Sequence, residues 1–173
     1  MPRRVELVAH DPAWGARAER LGSVFAEVAG SCVLAVHHIG STAVEGMRAK
    51  PIIDLMPVVS SLSALDEVRG VLCAAGYDWR GEQGLAGRRY LTLSDPVTGH
   101  REAHLHCYAE GDGEITRHLA FRDLLRSRSD LARAYVGLKE TCRNAHPLDS
   151  AAYTECKAGW IADLEARVAA GTV

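Results

Sequence analysis

The sequence predicts a mixed α/β fold in which a β-sheet module is followed by three C-terminal helices. Two apolar runs in the first third of the chain, residues 33–36 and 52–55, have the length and composition of buried strands. Between residues 14 and 28, apolar side chains recur every three or four positions, which is typical of an amphipathic helix. From about residue 112 onward the pattern is helical.

The N-terminal segment predicts an extended stretch at residues 5–8 followed by a helix. Asp11 is a good N-cap, and Pro12 suits the first helical position because the N–H that proline lacks would be unbonded there anyway. Gly30 is a natural stop because glycine readily adopts the left-handed conformation that ends many helices.

Two strands come next, at residues 32–39 and 52–59, joined by a short helix or irregular turn at 43–50. The second strand is apolar on both faces, as expected for a central strand covered by helices. Proline removes a ladder hydrogen bond, so Pro57 predicts that this strand ends near Met56 or lies at a sheet edge there.

The middle of the chain predicts one helix and three strands. The helix covers residues 63–75, where Ser63 and Asp66 resemble a capping box and Gly76 follows. The strands lie at 77–79, at 89–93 after the glycine-rich loop 81–87, and at 102–108. The last strand alternates, with Glu102, His104 and His106 on one face and Ala103, Leu105 and Cys107 on the other.

The C-terminal part predicts three helices: 115–126, Ser129 to about Arg143, and a third capped by Asp149 or Ser150 after a break at Pro147. Aromatic residues at helical spacing indicate packing in the core or at a dimer surface rather than a ligand site; they are Tyr135, Tyr153 and Trp160. We expect a single domain over residues 1–173, with a core at about 1–110 and a helical part at about 112–171.

Composition excludes several classes of function. A chain of 173 residues, 47% hydrophobic and 24% charged, is an ordinary soluble globular protein. The formal net charge of -2 provides no overall electrostatic attraction to the phosphate backbone of a nucleic acid, so no nucleic-acid partner is expected. No apolar run approaches the roughly 18 residues of a membrane span, and no secretory signal follows the two N-terminal arginines.

The five cysteines predict neither a disulfide scaffold nor a zinc knuckle. They are odd in number, widely separated and form no Cys-x-x-Cys pair; they are Cys32, Cys73, Cys107, Cys142 and Cys156. We therefore expect reduced thiols that act as small apolar residues, and with them a cytoplasmic location.

The segment from His38 to Asp54 is the most informative part of the sequence. The turn formed by Gly40, Ser41 and Thr42 follows a strand, and small residues there let backbone N–H groups approach a phosphate. An ordinary polar turn with Ser41 as N-cap is the alternative. Asp54 lies in an apolar strand, so it must meet a cation: a metal, Lys50 or an arginine. The sequence thus indicates a phosphate-handling site, with a structural ion pair as the alternative for Asp54.

His104 and His106 share a strand face and could point into one cleft. Such a pair offers two nitrogen ligands to zinc or another transition metal, or a general base near neutral pH. Two partly buried, hydrogen-bonded histidines are the alternative. If they converge with Asp54, the three residues form a site for a divalent metal (Mg, Mn or Zn), and Glu82 in the glycine-rich loop is a further carboxylate.

Several other residues are candidates for contact with substrate. Arg88 and Arg89 follow the glycine-rich loop and could fork onto phosphate or carboxylate oxygens, with surface exposure as the alternative. Arg122 lies in a helical segment rich in apolar residues, so we expect it to be partly buried and paired. His38 is favoured over His37 to face a site because it lies next to the turn.

These motifs together resemble the GrpB family, small bacterial proteins of poorly defined function assigned to the nucleotidyltransferase superfamily. The resemblance covers nearly the whole chain and rests on HIGSTAVEGMRAKPIIDL at 38–55, GRRYL at 87–91, HLH at 104–106, LAFRDLLR at 119–126 and the helix from Tyr153 to Lys157. It implies a polymerase-beta-like nucleotidyltransferase core, in which helices flank a mixed sheet.

The resemblance also implies a set of site roles. Active members of the superfamily hold a triphosphate at a Gly-Ser pair, and Mg²⁺ at two carboxylates two residues apart plus a third from a later strand. Gly40-Ser41 and Asp54 match the first two features, but the second carboxylate position is Met56, whose thioether is a poor Mg²⁺ ligand.

Three functions remain open from the sequence. The first is a metal-dependent nucleotidyl or phosphoryl transferase acting on a small molecule. The second is a non-catalytic nucleotide- or phosphate-binding or accessory module, since GrpB-like domains also occur fused to dephospho-CoA kinase. The third is a metal or acid–base enzyme that uses Asp54, His104 and His106 on a non-nucleotide substrate. The expected partner is a small molecule or nucleotide; the accessory module would alternatively support a partner protein, and a homodimer is left open.

Overall fold

The computed structural model describes residues 4–173, in which six α-helices surround one five-stranded sheet. The strands are β1 (Val33–Ile39), β2 (Ile53–Val59), β3 (Tyr77–Trp79), β4 (Arg89–Ser94) and β5 (Arg101–Ala109). The helices are α1 (Trp14–Ala29), α2 (Leu62–Glu67), α3 (Arg69–Ala74), α4 (Gly113–Ser127), α5 (Ser129–Ala145) and α6 (Ser150–Ala169). The predicted mixed α/β class with C-terminal helices is confirmed. Positions 1–3 of the predicted domain lie outside the described residues.

The strand order is β1-β2-β5-β4-β3, and β2 and β5 form the parallel pair in an otherwise antiparallel sheet. This order makes β2 a central strand. Its register pairs Asp54 with Ile39 on one side and with His104 on the other. The backbone pairing therefore brings the predicted carboxylate and the first predicted histidine side by side.

Pro57 neither ends β2 nor marks an edge, so that prediction is wrong. The residue pairs with Val36 of β1. The ladder to β5 pairs residues 53–55 and resumes at Val58, so the residue without an N–H lies where that ladder is interrupted. Burial of the strand on both faces outweighs the missing hydrogen bond.

The helix predicted at 63–75 is two helices that meet at Val68. Its N-cap is Ser61, whose hydroxyl accepts a hydrogen bond from the Ala64 N–H at 3.1 Å. The predicted capping box of Ser63 and Asp66 is therefore wrong, and Asp66 instead binds an arginine across the fold. The first helix begins later than predicted: α1 starts at Trp14 with Ala13 as its N-cap, so Asp11 as N-cap and Pro12 as the first helical residue are wrong. The Asp11 carboxylate accepts a hydrogen bond from the Ala13 N–H at 2.9 Å in the turn that precedes the helix.

The two faces of the sheet have different chemistry. One face packs under the first three helices in the main apolar cluster, which includes Phe25, Ile53, Leu91 and Leu105. The opposite face carries the polar side chains of β2 and β5 and is covered by the C-terminal helices. The alternation predicted for β5 is confirmed, since Ala103, Leu105 and Cys107 are fully buried on the apolar face.

The three C-terminal helices pack on one another around a stack of Tyr135 on Trp160, with ring centroids 5.1 Å apart. A disulfide joins Cys142 of α5 to Cys156 of α6, with the Cα atoms 5.8 Å apart. The expectation of reduced thiols is wrong for these two cysteines. Because α6 folds back along α5, residues 14 positions apart become neighbours, which sequence spacing does not reveal. The cytoplasmic location inferred from reduced thiols loses that support.

The N-terminal segment ties the sheet to the helices. Val8 forms an isolated bridge with Ala49, as its predicted extended conformation allows. The Val5 N–H donates to the Pro147 carbonyl at 2.9 Å, and Leu7 packs in a cluster with Cys142. None of the described helices has both the length and the apolar character needed to cross a membrane.

Candidate functional site

The polar face of the sheet and the C-terminal helices enclose a cavity of about 470 Å³. The turn after β1, the centres of β2 and β5, and residues of the last three helices form its walls. We call it the lysine cleft, since it is lined by Lys50, Lys139 and Lys157. Tyr153 packs in an apolar cluster, as predicted for the terminal helices, and also lines this cleft together with Lys157.

Asp54 is the centre of a hydrogen-bonded group at the floor of the cleft. Its Oδ1 lies 3.1 Å from Nδ1 of His104 and 3.9 Å from Nε2 of His106. The Tyr90 ring packs against both imidazoles, with centroids 5.8 and 5.1 Å away. Burial alone would raise the pKa of Asp54, but the hydrogen bond from His104 and the nearby His106 imidazole hold that pKa well below its usual range. Asp54 is therefore a carboxylate at neutral pH.

Gly40 allows the turn to approach this carboxylate. Its φ is 71°, in the left-handed region, and a Cβ placed on it would lie 2.6 Å from Oδ2 of Asp54. A side chain at this position would therefore collide with Asp54. The next residues, Ser41 and Thr42, begin a short 3-10 turn that lines the cleft.

Position 56, where the second carboxylate was expected, holds a methionine and has apolar surroundings. Met56 is fully buried and packs with Ile39 and Tyr108 beneath α4. Glu82 is also unsuited to a shared metal site, because it lies outside the cleft wall and accepts a hydrogen bond from the Gly87 N–H at 3.0 Å. No group of three or more His, Cys, Asp or Glu side chains in residues 4–173 is arranged to hold a metal ion. As placed, these residues do not fit the predicted Mg, Mn or Zn site.

Lysine is rare in this chain, yet every lysine lines the same cleft. The sequence has 20 lysines and arginines in total, and only three of them are lysines. Lys139 is 2% exposed, and its amine donates to the Ser41 hydroxyl at 3.2 Å and to the Arg48 carbonyl. Lys50 donates to the Ser150 hydroxyl at 2.8 Å. These bonds hold two of the three amines in place.

The lysines lie close enough to repel one another, which helps to lower the pKa values of two of them. The amines of Lys50 and Lys157 lie 4.6 and 4.2 Å from the centroid of the same Tyr153 ring. Burial, reinforced by a neighbouring lysine in each case, lowers the pKa of Lys139 to about 7 and that of Lys157 to about 8. Glu165, the other carboxylate of the wall, is paired with Arg117. The cleft therefore holds more positive than negative charge.

The predicted arginines lie outside the wall of this cleft. Arg88 is buried and donates to the carbonyls of the glycine-rich loop, with its guanidinium 4.9 Å from the Tyr90 ring centroid. The Arg89 guanidinium donates two hydrogen bonds to the Asp66 carboxylate, at 2.7 and 2.8 Å. Arg122 is half-buried, as expected, and donates to the His38 carbonyl at 3.1 Å. Each of the three fixes a loop, strand or helix of the protein itself.

Histidines complete the surroundings of the cleft. His118 of α4 lines it, 5.9 Å from the His106 ring, and burial together with the neighbouring Arg117 lowers the pKa of His118 to about 4. His38 lies behind the turn, with Nε2 2.8 Å from the Thr42 hydroxyl, and burial lowers its pKa to about 4 as well. Both imidazoles are neutral at physiological pH.

Sequence reasoning identified the turn, Lys50, Asp54 and both strand histidines, and the structure brings all of them together. It missed Lys139 and treated Lys157 only as part of a family motif. The rarity of lysine was the available signal: of the 20 lysines and arginines in the sequence, only three are lysines.

The comparisons with known proteins agree with the resemblance. The profile of the family described as GrpB protein matches residues 4–167. The UPF0157 protein YqkA of Bacillus subtilis (strain 168) is 38% identical over 167 residues, which are 94% of this chain and 47% of YqkA. The dephospho-CoA kinase of Mycolicibacterium paratuberculosis is 31% identical over 186 residues, which are 94% of this chain and 46% of the kinase. This chain spans about half the length of these two relatives.

Among solved structures, conserved protein GrpB from Enterococcus faecalis superposes with a TM-score of 0.86 and 35% identity, covering 94% of this chain and 96% of that one. A Cid1 poly(U) polymerase mutant bound to MgATP is more distant, with a TM-score of 0.49 and 17% identity over 78% of this chain and 45% of that one. Since the profile and the E. faecalis structure both cover nearly all of the described residues, this chain belongs to the GrpB family.

Proposed function

We propose that the lysine cleft binds a phosphorylated small molecule, with a nucleotide as the first candidate. The observation that carries the proposal is the convergence of every lysine of the chain on one cavity. A buried amine is costly unless an anion compensates it, and three of them facing a single free carboxylate are under-compensated. A phosphate group supplies the missing negative charge and several acceptor oxygens.

The elements of the cleft have separate parts in this binding. Lys50 and Lys157 flank the Tyr153 ring and would meet the phosphate oxygens. Gly40 and Ser41 would present the backbone of the turn to the same group. Lys139 is a positioning residue, because its hydrogen bond to Ser41 holds the turn in place.

The Asp54–His104 pair gives the cleft a means of moving a proton. A carboxylate bonded to Nδ1 orients the imidazole and leaves its Nε2 as the other proton-carrying position. Set beside a bound phosphate, this pair could act as general base or acid in a transfer reaction, and the lysines would stabilise developing charge. A phosphoryl or nucleotidyl transfer to a small molecule is the reaction class that these parts suit.

A divalent-metal transferase is the second candidate. The observation in its favour is that Oδ1 of Asp54 lies 3.1 Å from Nδ1 of His104 and 3.9 Å from Nε2 of His106. Two features argue against this candidate: Met56 replaces the second carboxylate, and Oδ1 of Asp54 already accepts a hydrogen bond from His104. The metal is therefore included in the test below but in no step of the proposed chemistry.

Thermal melts test the proposal. The protein is heated with each ribonucleoside triphosphate and with inorganic pyrophosphate, in EDTA and separately in Mg²⁺, Mn²⁺ and Zn²⁺. A ligand at about a hundred times its Kd stabilises by roughly 2.7 kcal/mol, which raises the midpoint by several degrees. Lys157→Gln should remove the shift, whereas Arg20→Gln, which deletes one exposed charge on α1, should retain it.

The metal arms separate the two candidates. A nucleotide shift in EDTA supports charge compensation by the lysines. A shift that needs a metal and disappears in Asp54→Asn supports the second candidate instead. The absence of any shift with every phosphate compound would overturn the proposal.

A further inference from the structure

The three lysines of the cleft are not equivalent. Lys139 and Lys50 donate hydrogen bonds to groups of the protein itself. The amine of Lys157 lies against the Tyr153 ring, and within residues 4–173 no backbone or side-chain group forms a hydrogen bond or ion pair with it. Of the three cleft amines, that of Lys157 is therefore the one that forms no hydrogen bond to the described part of the protein.

Exposure distinguishes Lys157 in the same way. Lys139 is 2% exposed, and its amine is already engaged in hydrogen bonds. Lys157 is half-buried, so a ligand in the cleft can reach it while bulk water surrounds it only in part. Burial and the nearby Lys50 lower its pKa to about 8, so roughly a tenth of this amine is unprotonated at pH 7, far more than for an ordinary lysine. An amine in that state is a nucleophile.

We propose that Lys157 is a nucleophilic amine that condenses with the carbonyl of a phosphorylated aldehyde held in the lysine cleft. The inference rests on the proposed function: with a phosphorylated aldehyde, Lys50 and the turn at Gly40 and Ser41 hold the phosphate, and Lys157 meets the carbonyl instead of the anion. It goes further by naming a covalent step and a ligand class.

The step balances without another reagent. The Nζ lone pair of Lys157 forms a bond to the carbonyl carbon, and the amine loses a proton as the carbonyl oxygen gains one, which gives a carbinolamine. Loss of that hydroxyl as water then forms the C=N bond of an imine. No oxidant or reductant takes part, and the phosphate is unchanged.

Borohydride trapping tests this directly. The full chain is incubated with pyridoxal 5′-phosphate, reduced with sodium borohydride, and mapped by peptide mass spectrometry. Pyridoxal without the phosphate is run in parallel, and inorganic pyrophosphate is added as a competitor. We expect the reduced adduct on Lys157, formed faster with the phosphate than without it and suppressed by pyrophosphate.

Two variants at position 157 separate charge from nucleophilicity. Lys157→Arg keeps a cation but cannot form a reducible imine, so the adduct should be lost while the pyrophosphate thermal shift survives. Lys157→Gln should lose both. Arg167→Lys places an ordinary exposed amine on the same helix and should be labelled slowly and equally by both aldehydes.

The outcomes distinguish this inference from the proposed function. An adduct on Lys50, on Lys139 or on the Arg167→Lys amine in preference to Lys157, with a normal pyrophosphate shift, overturns the role of Lys157 and leaves phosphate binding intact. Labelling that neither the phosphate accelerates nor pyrophosphate suppresses overturns the ligand class and the proposed function with it.

Discussion

At the scale of single residues, the contact between Gly40 and Asp54 sets the geometry of the cleft floor. Gly40→Ala would force a methyl group to within 2.6 Å of the carboxylate and would also strain a backbone with φ of 71°. We expect a loss of about 1–3 kcal/mol in the free energy of unfolding, together with weakened phosphate binding. Chemical denaturation measures the first and the pyrophosphate melt measures the second.

Gly137→Ala is the matched control. Gly137 lies exposed within α5, and a Cβ there meets nothing within 4 Å. Because alanine is the better helix former, this change should stabilise by roughly 0.5–1 kcal/mol. Equal effects of the two substitutions would show that the Gly40–Asp54 contact has no special weight.

His118 predicts a pH dependence of stability. Its pKa is about 4 in the folded protein and ordinarily 6.5, so between these values the unfolded chain binds more protons than the folded one. Stability should therefore fall as the pH drops from about 6.5 towards 4. His118→Gln should reduce that fall by on the order of 1–2 kcal/mol, discounted for partial exposure.

Urea unfolding at pH 7 and pH 4.5 measures this difference. His100→Gln, on an exposed hairpin loop, serves as the control and should leave the pH slope unchanged. The slope should be reduced rather than abolished in His118→Gln, because His38 titrates in the same window. An unchanged slope would contradict the buried neutral state of His118.

The site residues differ in how far sequence could predict them. Strand alternation was enough to place His104 and His106 on one face, and the register of β2 and β5 then put Asp54 beside them. Lys50 lies close to the turn in sequence, but Lys139 and Lys157 come from α5 and α6, more than 90 residues beyond the turn that Lys139 contacts. No local pattern encodes that approach, since it depends on how the helices dock.

At the scale of elements, the disulfide between α5 and α6 holds the two helices that carry Lys139 and Lys157. A cross-link that closes a loop of about 15 residues stabilises by roughly 3 kcal/mol. We expect Cys156→Ser to lower the free energy of unfolding by about that amount, and dithiothreitol to have the same effect on the natural chain.

Cys73→Ser provides the comparison, because Cys73 is an exposed free thiol on α3. It should be neutral in denaturant melts with and without reductant. If Cys156→Ser is as stable as the natural chain, the disulfide does not constrain the helix pair. The bridge itself was beyond sequence reasoning, which judged the cysteines by spacing and number rather than by helix packing.

Element boundaries show which local rules were overridden. Gly30 ends α1 as predicted, whereas the predicted N-cap Asp11 lies before the observed N-cap, Ala13. Pro57 failed as a strand breaker because burial on both faces of β2 outweighs one absent hydrogen bond. Ser61 replaced Ser63 as the cap because either serine fits the local pattern, and only the docked position of the helix decides between them.

At the scale of the whole molecule, the N-terminal segment couples the sheet to the helical hairpin. Leu7 is buried in a cluster with Cys142 and Tyr153, and Tyr153 also lines the cleft. Leu7→Ala should therefore destabilise by about 2–4 kcal/mol and weaken ligand binding, although Leu7 does not line the cleft. Val24→Ala removes an apolar side chain that is already 46% exposed and should change neither property.

Hydrogen exchange locates the effect of Leu7→Ala. Faster exchange should spread to α6 and to the residues around Ala49, the two regions that the segment connects. Loss of protection confined to the first few residues would contradict the coupling. The packing of Leu7 against Cys142 and Tyr153 also shows that the N-terminal segment contacts the last helices. The division of the sequence into a core and a separate helical part is therefore incomplete.

The distribution of lysine has a practical consequence for anyone who handles this protein. Cross-linkers, fluorophore esters and coupling surfaces that act on ε-amines will find those amines only along one cleft. A sample immobilised or dyed by that route is attached through the lysine cleft, the site proposed to bind the ligand, apart from any coupling at the chain's α-amine. Attachment through an introduced cysteine or an affinity tag would leave the cleft open.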